Sequence, residues 1–322
     1  MARDARSVPG VIDSLSEGFA QINRVLWVLL LPVVLDLVLW VAPRISAVPL
    51  VDRWLGFSRQ ALSEYGRTAG QGGPVDPQSL EMARRWLEES PLANLLSFLT
   101  WNLANASVPT VVPSQRLASG QVVEVDSPLT FLALVVCLQL AGVFLGCVYL
   151  GIIGQQVRDG QPDANRLARQ VWRYYLSVLG FIGVVLGIVL GVSIPLSIVV
   201  GILTLVAPPL AAIVYSALLV TTLFVGVWML LYLFFLVDAI VVGELGPLAA
   251  VRSSVLVVRS NLGASLGLIA LILLISLGMH VIWSALARQA WGMWLAILGN
   301  AYVASGLVAA SMLFYRHRAA PR

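Results

Sequence analysis

The stretch Val237–Asn261, VDAIVVGELGPLAAVRSSVLVVRSN, separates two long apolar segments, and its pattern indicates the fold class. Upstream, Leu210–Leu236 is almost uninterruptedly hydrophobic, and so is Leu262–Leu286 downstream. Between them, Gly246-Pro247 marks a turn and the start of a new helix. A short helix between two apolar segments of membrane-spanning length is typical of a chain that crosses a bilayer, runs along its surface and crosses it again.

The helix predicted over residues 247–260 has two different faces. Residues at helical spacing form an apolar face: Leu248, Val251, Val255 and Val258. Arg252 and Arg259 are seven residues apart and share another face. We therefore predict an interfacial helix whose two arginines contact lipid headgroups.

The composition also indicates a membrane protein. Hydrophobic residues make up 59% of the chain and charged residues 11%, and the mean hydropathy is +0.90. Soluble proteins contain about 25% charged residues. The formal net charge is +4 and every basic residue is an arginine, but the arginines flank apolar segments without forming one basic cluster. We predict the lipid bilayer as a partner and no nucleic-acid binding.

Six apolar segments are long enough to be membrane spans, for which about 20 residues are needed. The predicted spans are 25–43, 128–153, 174–206, 210–236, 262–286 and 291–314. The third is 33 residues long and contains Pro195, so it is either one kinked, tilted helix or a span followed by a re-entrant piece. The expected fold is all-α, a polytopic transmembrane helical bundle of about six spans with interfacial amphipathic helices.

The remaining segments complete the predicted domain organisation. Residues 1–24 form a cytoplasmic amphipathic segment that packs against the protein, and residues 44–127 form one large extracytoplasmic region of helices and loops. Residues 128–315 form a five-span bundle, and residues 316–322 form a cytoplasmic tail. A second interfacial helix is predicted near 162–173, with three headgroup-contacting arginines: Arg166, Arg169 and Arg173. The two halves would then repeat a span–interfacial helix–span unit.

The orientation follows from the placement of arginine in the short loops. On one side lie arginines of the N-terminus, of both predicted interfacial helices and of the C-terminal tail, whereas the short loops of the other side hold only Arg288. Both termini are therefore predicted to be cytoplasmic.

Asp36 is the strongest candidate for a functional residue. It lies about 18 Å along a helix from Arg24, near the middle of a bilayer. A charge at that depth costs at least about 2.5–3.5 kcal/mol unless it is paired or neutralised. Gln139 and Asn300 have similar predicted depths and are its expected partners. Asp36 either joins helices by a hydrogen bond, which we favour, or takes part in an ion or proton relay.

Other residues of reactive type give weaker indications. His280, in the outer third of the fifth span, is either a ligand or proton site or a hydrogen-bonded packing residue. Cys137 and Cys147 lie about 15 Å apart along one helix, too far for a disulfide. With His280 and His317 they match no metal-ligand spacing, so no metal or cofactor is predicted.

No catalytic motif is present in the sequence. The chain has no GxSxG nucleophile elbow, no phosphate-binding glycine loop with a lysine and no HExxH pair. We therefore predict that the protein is not an enzyme.

Part of the second half resembles a known bacterial element. The pattern E-x-x-P-x-x-A-x-R-S…R-x-N is formed by Glu244, Pro247, Ala250, Arg252, Ser253, Arg259 and Asn261. It is similar to a loop-helix element in the membrane domain attached to some glycerophosphoryl diester phosphodiesterases. The resemblance covers spans four to six and implies a six-helix bundle with interfacial helices after the even-numbered spans. We see no phosphodiesterase barrel here, so that activity is not carried over.

Two functional hypotheses follow. The first is a non-enzymatic scaffold of the bacterial cytoplasmic membrane, associated with lipids or with a complex, whose partner is another membrane protein or a second copy of the chain. The alternative is a transporter or permease subunit, in which Asp36, Gln139 and Asn300 line a polar path. A transporter is expected to have a polar cavity at mid-depth, whereas a scaffold is expected to be packed throughout.

Overall fold

The computed structural model describes residues 9–53, 56–57, 60, 82, 93–101, 104, 106–111, 122–287 and 289–319. Within these residues the α-helices are α1 (Val11–Asn23), α2 (Leu30–Val41), α3 (Pro128–Asp159), α4 (Ala164–Val206), α5 (Pro208–Tyr232), α6 (Leu236–Val241), α7 (Pro247–Ser260), α8 (Leu262–Leu286) and α9 (Ala290–Ala319). Leu26–Leu29 and Leu95–Leu99 are 3-10 helices. Strands β1 (Arg44–Ser46) and β2 (Val122–Glu124) form a short parallel pair that joins the two ends of the large hydrophilic region. Much of that region lies outside the described residues.

Among the described residues, five helical segments are long and apolar enough to cross a membrane: α3, α4, Pro208–Val241 (α5 and α6 together), α8 and Trp291–Ala319 of α9. A sixth crossing is available if α1 and Leu26–Val41, which meet at an angle of 88°, count as one broken span. The predicted all-α membrane bundle of about six spans is therefore confirmed as a bundle of five to six.

The structure divides the predicted first span, 25–43, between the 3-10 helix Leu26–Leu29 and α2. The 4 residues of the 3-10 helix and the 12 residues of α2 extend about 26 Å together, slightly less than the apolar core of a bilayer, which is about 30 Å thick. The bend of 88° lies between α1 and Leu26. Pro32 lies in the first turn of α2, where a missing backbone N–H is tolerated.

The first helix packs along the last one. Gly18 of α1 is so close to α9 that a Cβ atom added to it would lie 2.6 Å from the backbone nitrogen of Ala310. One residue further along α1, the ring of Phe19 lies 5.5 Å from that of Tyr302, centroid to centroid. Because contacts advance along α1 as they recede along α9, the two helices are antiparallel. The N-terminal amphipathic segment thus buries its apolar face against the protein.

The third predicted span is one unbroken helix with Pro195 inside it. The interfacial helix predicted near 162–173 does not exist separately, because residues 164–173 are the first turns of α4. Asp163 caps this helix, accepting a hydrogen bond from the backbone of Asn165 at 2.9 Å, and neither glycine nor proline follows before Gly180 to break it. The other predicted interfacial helix, 247–260, is a separate helix with those bounds, α7.

The bundle is packed on one side and bare on the other. The most apolar 18-residue window of α9 is 61% buried within the chain, whereas that of α4 is 6% buried. Most of the far half of α4 and nearly all of α5, which follows it after Ala207, are exposed in this chain. We call Gly183–Tyr232 the α4–α5 hairpin. The packed core contains residues of α1, α2, α3, the first half of α4, α6, α7, α9 and, from α8, Leu268.

The topology yields a first testable prediction. A reporter enzyme that is active only outside the cytoplasm should be active when inserted at position 75 and inactive when fused after Arg322. The measurement is reporter activity normalised to the amount of fusion protein. Equal activity at both positions would mean an even number of crossings between position 75 and Arg322 instead of the expected five, as would result if the region of α4 crossed the membrane twice.

Candidate functional site

Part of the large hydrophilic region enters the bundle. We call Ala104 and residues 106–111 the buried segment. Ala104, Ala106, Val108 and Val111 are each at most 7% exposed, and the described residues 106–111 are neither helix nor strand. At membrane depth, irregular backbone is tolerated only where protein surrounds it or where it lines a water-filled cavity. This segment is therefore the most unusual feature among the parts of the chain that the structure describes.

Two glycines of α3 make room for the incoming chain. A Cβ atom on Gly142 would overlap the carbonyl oxygen of Leu99, and one on Gly146 would overlap that of Ala106. The two glycines are four residues apart, so they lie on the same face of α3. Gly146 lies about 27 Å along α3 from Pro128. The buried segment thus contacts α3 just past the middle of that helix.

Asp36 binds the far end of the buried segment. Its side chain is fully buried, and its two carboxylate oxygens accept hydrogen bonds from the backbone nitrogen of Val111 at 3.0 and 3.2 Å. Around this bond, Val33 and Leu37 of α2 pack with Ile297 of α9 and with Val111 itself. Asp36 therefore satisfies a backbone donor that would otherwise be unpaired at this depth.

The other predicted polar residues have different surroundings. Gln139 donates a hydrogen bond to the carbonyl oxygen of Trp101 at 2.7 Å. Asn300 has a buried amide nitrogen with no hydrogen-bond partner among the described residues. His280 is exposed on α8. Asp36 and Gln139 each bind backbone of the large hydrophilic region, Asp36 at Val111 and Gln139 at Trp101.

A second polar cluster lies where α3, α4 and the turn before α7 meet. Its centre is Glu244, a non-glycine residue with a φ of 52°. The Glu244 carboxylate accepts hydrogen bonds from Arg158 and from Gln170, the latter at 2.8 Å. Arg158 also forms an ion pair with Asp159 at 3.0 Å. The cluster therefore joins the α3–α4 connection to the α6–α7 turn.

The three arginines predicted near 162–173 have partners inside the protein. Arg166 forms ion pairs with Asp159 at 3.1 Å and with Glu244 at 3.5 Å. Arg173 donates to the backbone oxygen of Glu244 and lies 3.9 Å from its carboxylate. Arg169 donates to the backbone oxygen of Asn165 at 3.3 Å. Arg166 and Arg173 thus both form ion pairs with Glu244, and Arg166 also forms one with Asp159.

A third group of polar contacts was missed at the level of the sequence. The break between α5 and α6 is held by Ser254, which donates to the carbonyl oxygen of Tyr232 at 2.7 Å. Just beyond the break, Asp238 is 6% exposed and accepts a hydrogen bond from Ser311. We had placed Asp238 in a connection between spans. Its apolar neighbours on both sides, LV before it and AIVV after it, were the available signal that it lies inside a buried helix.

Comparisons of the chain with protein-family models, with curated proteins and with solved structures give no match. The resemblance to the membrane domain of glycerophosphoryl diester phosphodiesterases therefore stays a prediction. The function is therefore inferred from the geometry of the bundle.

Proposed function

We propose that the chain is a non-enzymatic scaffold of the bacterial cytoplasmic membrane, with both termini in the cytoplasm. In this proposal the packed side of the bundle is the rigid part. The α4–α5 hairpin is the surface that binds a partner, and this partner is another membrane protein.

The observation that carries the proposal is the unequal burial of the long helices. A helix of 43 residues such as α4 is about 65 Å long, roughly twice the thickness of the apolar core. Its apolar window is nevertheless only 6% buried within the chain. Helices in membranes associate through close packing, especially at small residues, and Gly183, Gly187 and Gly191 of α4 have no atom within 4 Å of an added Cβ. A partner helix could approach this surface closely.

The internal hydrogen bonds support a structural role for the packed side. Asp36 and Gln139 are bonded to the backbone of 101–111, and Tyr149 of α3 is bonded to Ser305 of α9 at 2.7 Å. Polar side chains that join helices or segments in this way stabilise one arrangement of the bundle. They suit a scaffold that must present a constant surface.

The test is site-specific photo-crosslinking in intact membranes. A photoreactive phenylalanine analogue is placed on the α4–α5 hairpin at Ile188 or Val220, and on α8 at Leu274 as a matched control. All three side chains are highly exposed, at 62%, 66% and 68%. We expect a discrete protein adduct from the two hairpin positions and none from α8.

Either of two results would contradict the proposal. If the hairpin positions yield only lipid adducts, or if Leu274 yields the same protein adducts as the hairpin, the hairpin is not a specific docking surface. Mass spectrometry of the adduct distinguishes a different protein from a second copy of the chain.

A second candidate, transport, is favoured by one observation. Broken helices and irregular backbone at membrane depth surround the substrate and ion sites of many transporters. Here the Asp36 carboxylate binds the irregular backbone of the buried segment. Substitutions of Asp36 separate this candidate from the scaffold, as argued in the Discussion.

A further inference from the structure

Helix α7 has a buried face that differs from the one predicted. The buried residues are Ala250, Ser254, Val257 and Val258, and they pack into the bundle. Of the apolar face predicted from spacing, Val258 is buried but Leu248 is 74% exposed. The spacing placed Leu248 on a different face from the arginines, but on the helix it lies only about 20° from Arg259. The spacing also could not show which face meets the protein.

The opposite face of α7 alternates leucine and arginine. At 3.6 residues per turn, Leu248, Arg252, Leu256 and Arg259 lie within an arc of about 100°. All four are exposed, and we call them the Leu–Arg stripe. Exposed leucines suit contact with acyl chains, and arginines on the same stripe suit contact with the phosphates above them.

Among the five arginines that were predicted to contact headgroups, the structure distinguishes two pairs. Arg166 and Arg173 are bonded to Asp159 and Glu244, and their charge is partly neutralised. Arg252 and Arg259 form no ion pair with any other described residue, and neither has a hydrogen bond from its guanidinium within that part of the chain. Two full positive charges are therefore left beside exposed apolar surface.

The position of α7 in the chain places the stripe near the membrane boundary. Only Asn261 separates α7 from α8, which is a membrane-spanning helix by length and composition. The end of α7 that carries Arg259 must then lie close to the level at which α8 enters the bilayer.

We infer that the Leu–Arg stripe is a docking surface for anionic phospholipid headgroups. Arg252 and Arg259 are about 10.5 Å apart along the helix axis, so each contacts a phosphate of its own. This inference does not depend on the scaffold function, because it concerns a different surface from the α4–α5 hairpin.

The experiment measures the lipid that adjoins α7 in the full-length protein. A fluorophore is attached to Ala249→Cys, an exposed position next to the stripe, in a background in which Cys137 and Cys147 are alanine. The protein is reconstituted into vesicles of phosphatidylcholine and phosphatidylglycerol, and either lipid is brominated so that it quenches the fluorophore on contact. The ratio of the two quenching efficiencies gives the local preference for the anionic lipid.

We expect a preference for phosphatidylglycerol of about fivefold for each arginine at low salt, decreasing as salt screens the charges. Arg252→Gln together with Arg259→Gln should abolish it while quenching by both lipids persists. The matched control is Arg53→Gln, which removes an exposed arginine paired with Asp126 at 3.5 Å near the strand pair; it should leave the preference unchanged. Absence of quenching by either lipid would show that α7 faces water, and an unchanged preference in the double variant would show that these arginines do not select the headgroup. Either result overturns the inference.

Discussion

Gly146→Ala is expected to displace the buried segment from the bundle and to destabilise the protein by about 3 kcal/mol. The added Cβ atom would overlap the carbonyl oxygen of Ala106. The position of the Cβ atom is fixed by the backbone of α3, and the carbonyl oxygen belongs to the backbone of Ala106, so no side-chain rotation can relieve the overlap. Either α3 or the buried segment must move, and the segment is the part not held by helical hydrogen bonds.

Two measurements check this prediction. The first is the unfolding midpoint in detergent, compared with that of Gly187→Ala in α4, where an added Cβ has nothing within 4 Å. That control should be neutral or slightly stabilising, because alanine loses less conformational freedom than glycine in a helix. The second is the reactivity of Val108→Cys with a maleimide, which should be slow in the wild-type background, where Val108 is 1% exposed, and fast beside Gly146→Ala. Equal stability of the two glycine variants would contradict the tight contact between α3 and the segment.

Asp36→Leu is expected to cost about 1–3 kcal/mol, since it leaves the backbone donor of Val111 buried without this acceptor. Asp36→Asn keeps a side-chain oxygen of the same reach and should retain most of the stability. Asp36→Glu keeps the charge but adds a methylene group to a fully buried site, so we expect a loss between those of the other two variants. The measurement is the unfolding midpoint of each variant at equal expression.

The same variants separate the two candidate functions. In a scaffold, Asp36→Asn should give the same hairpin crosslinks as the wild-type protein, because the surface of α4 and α5 is unchanged. In a proton-coupled transporter asparagine cannot titrate, so it should abolish proton flux into vesicles under a membrane potential while the fold stays intact. Wild-type flux that is lost in a stable Asp36→Asn protein, and regained in Asp36→Glu, would replace the scaffold proposal with transport.

Local sequence patterns were sufficient to predict the helices. Apolar runs of membrane-spanning length predicted α3, α8 and α9, because burial in lipid requires each such run to satisfy its own backbone as a helix. Gly246-Pro247 and Asn261 predicted the bounds of α7, since start and stop signals act within one turn. The candidate polar residues Asp36 and Gln139 were also identified from depth alone.

Only the tertiary structure decided which groups Asp36 and Gln139 bind and which surfaces of the bundle are exposed. Asp36 was expected to bind side chains at equal depth, yet it binds the backbone of Val111, 75 residues away in the chain. No count along a helix could place an irregular segment beside α3, because that contact depends on glycines of another element. Likewise, Glu244 meets Arg166 and Arg173 of α4 across more than 70 residues, a contact that no spacing within one helix could predict. The sequence by itself determined the helices through short-range hydrogen bonding and hydrophobicity, whereas the partners of its polar groups depended on packing between elements that are distant in the chain.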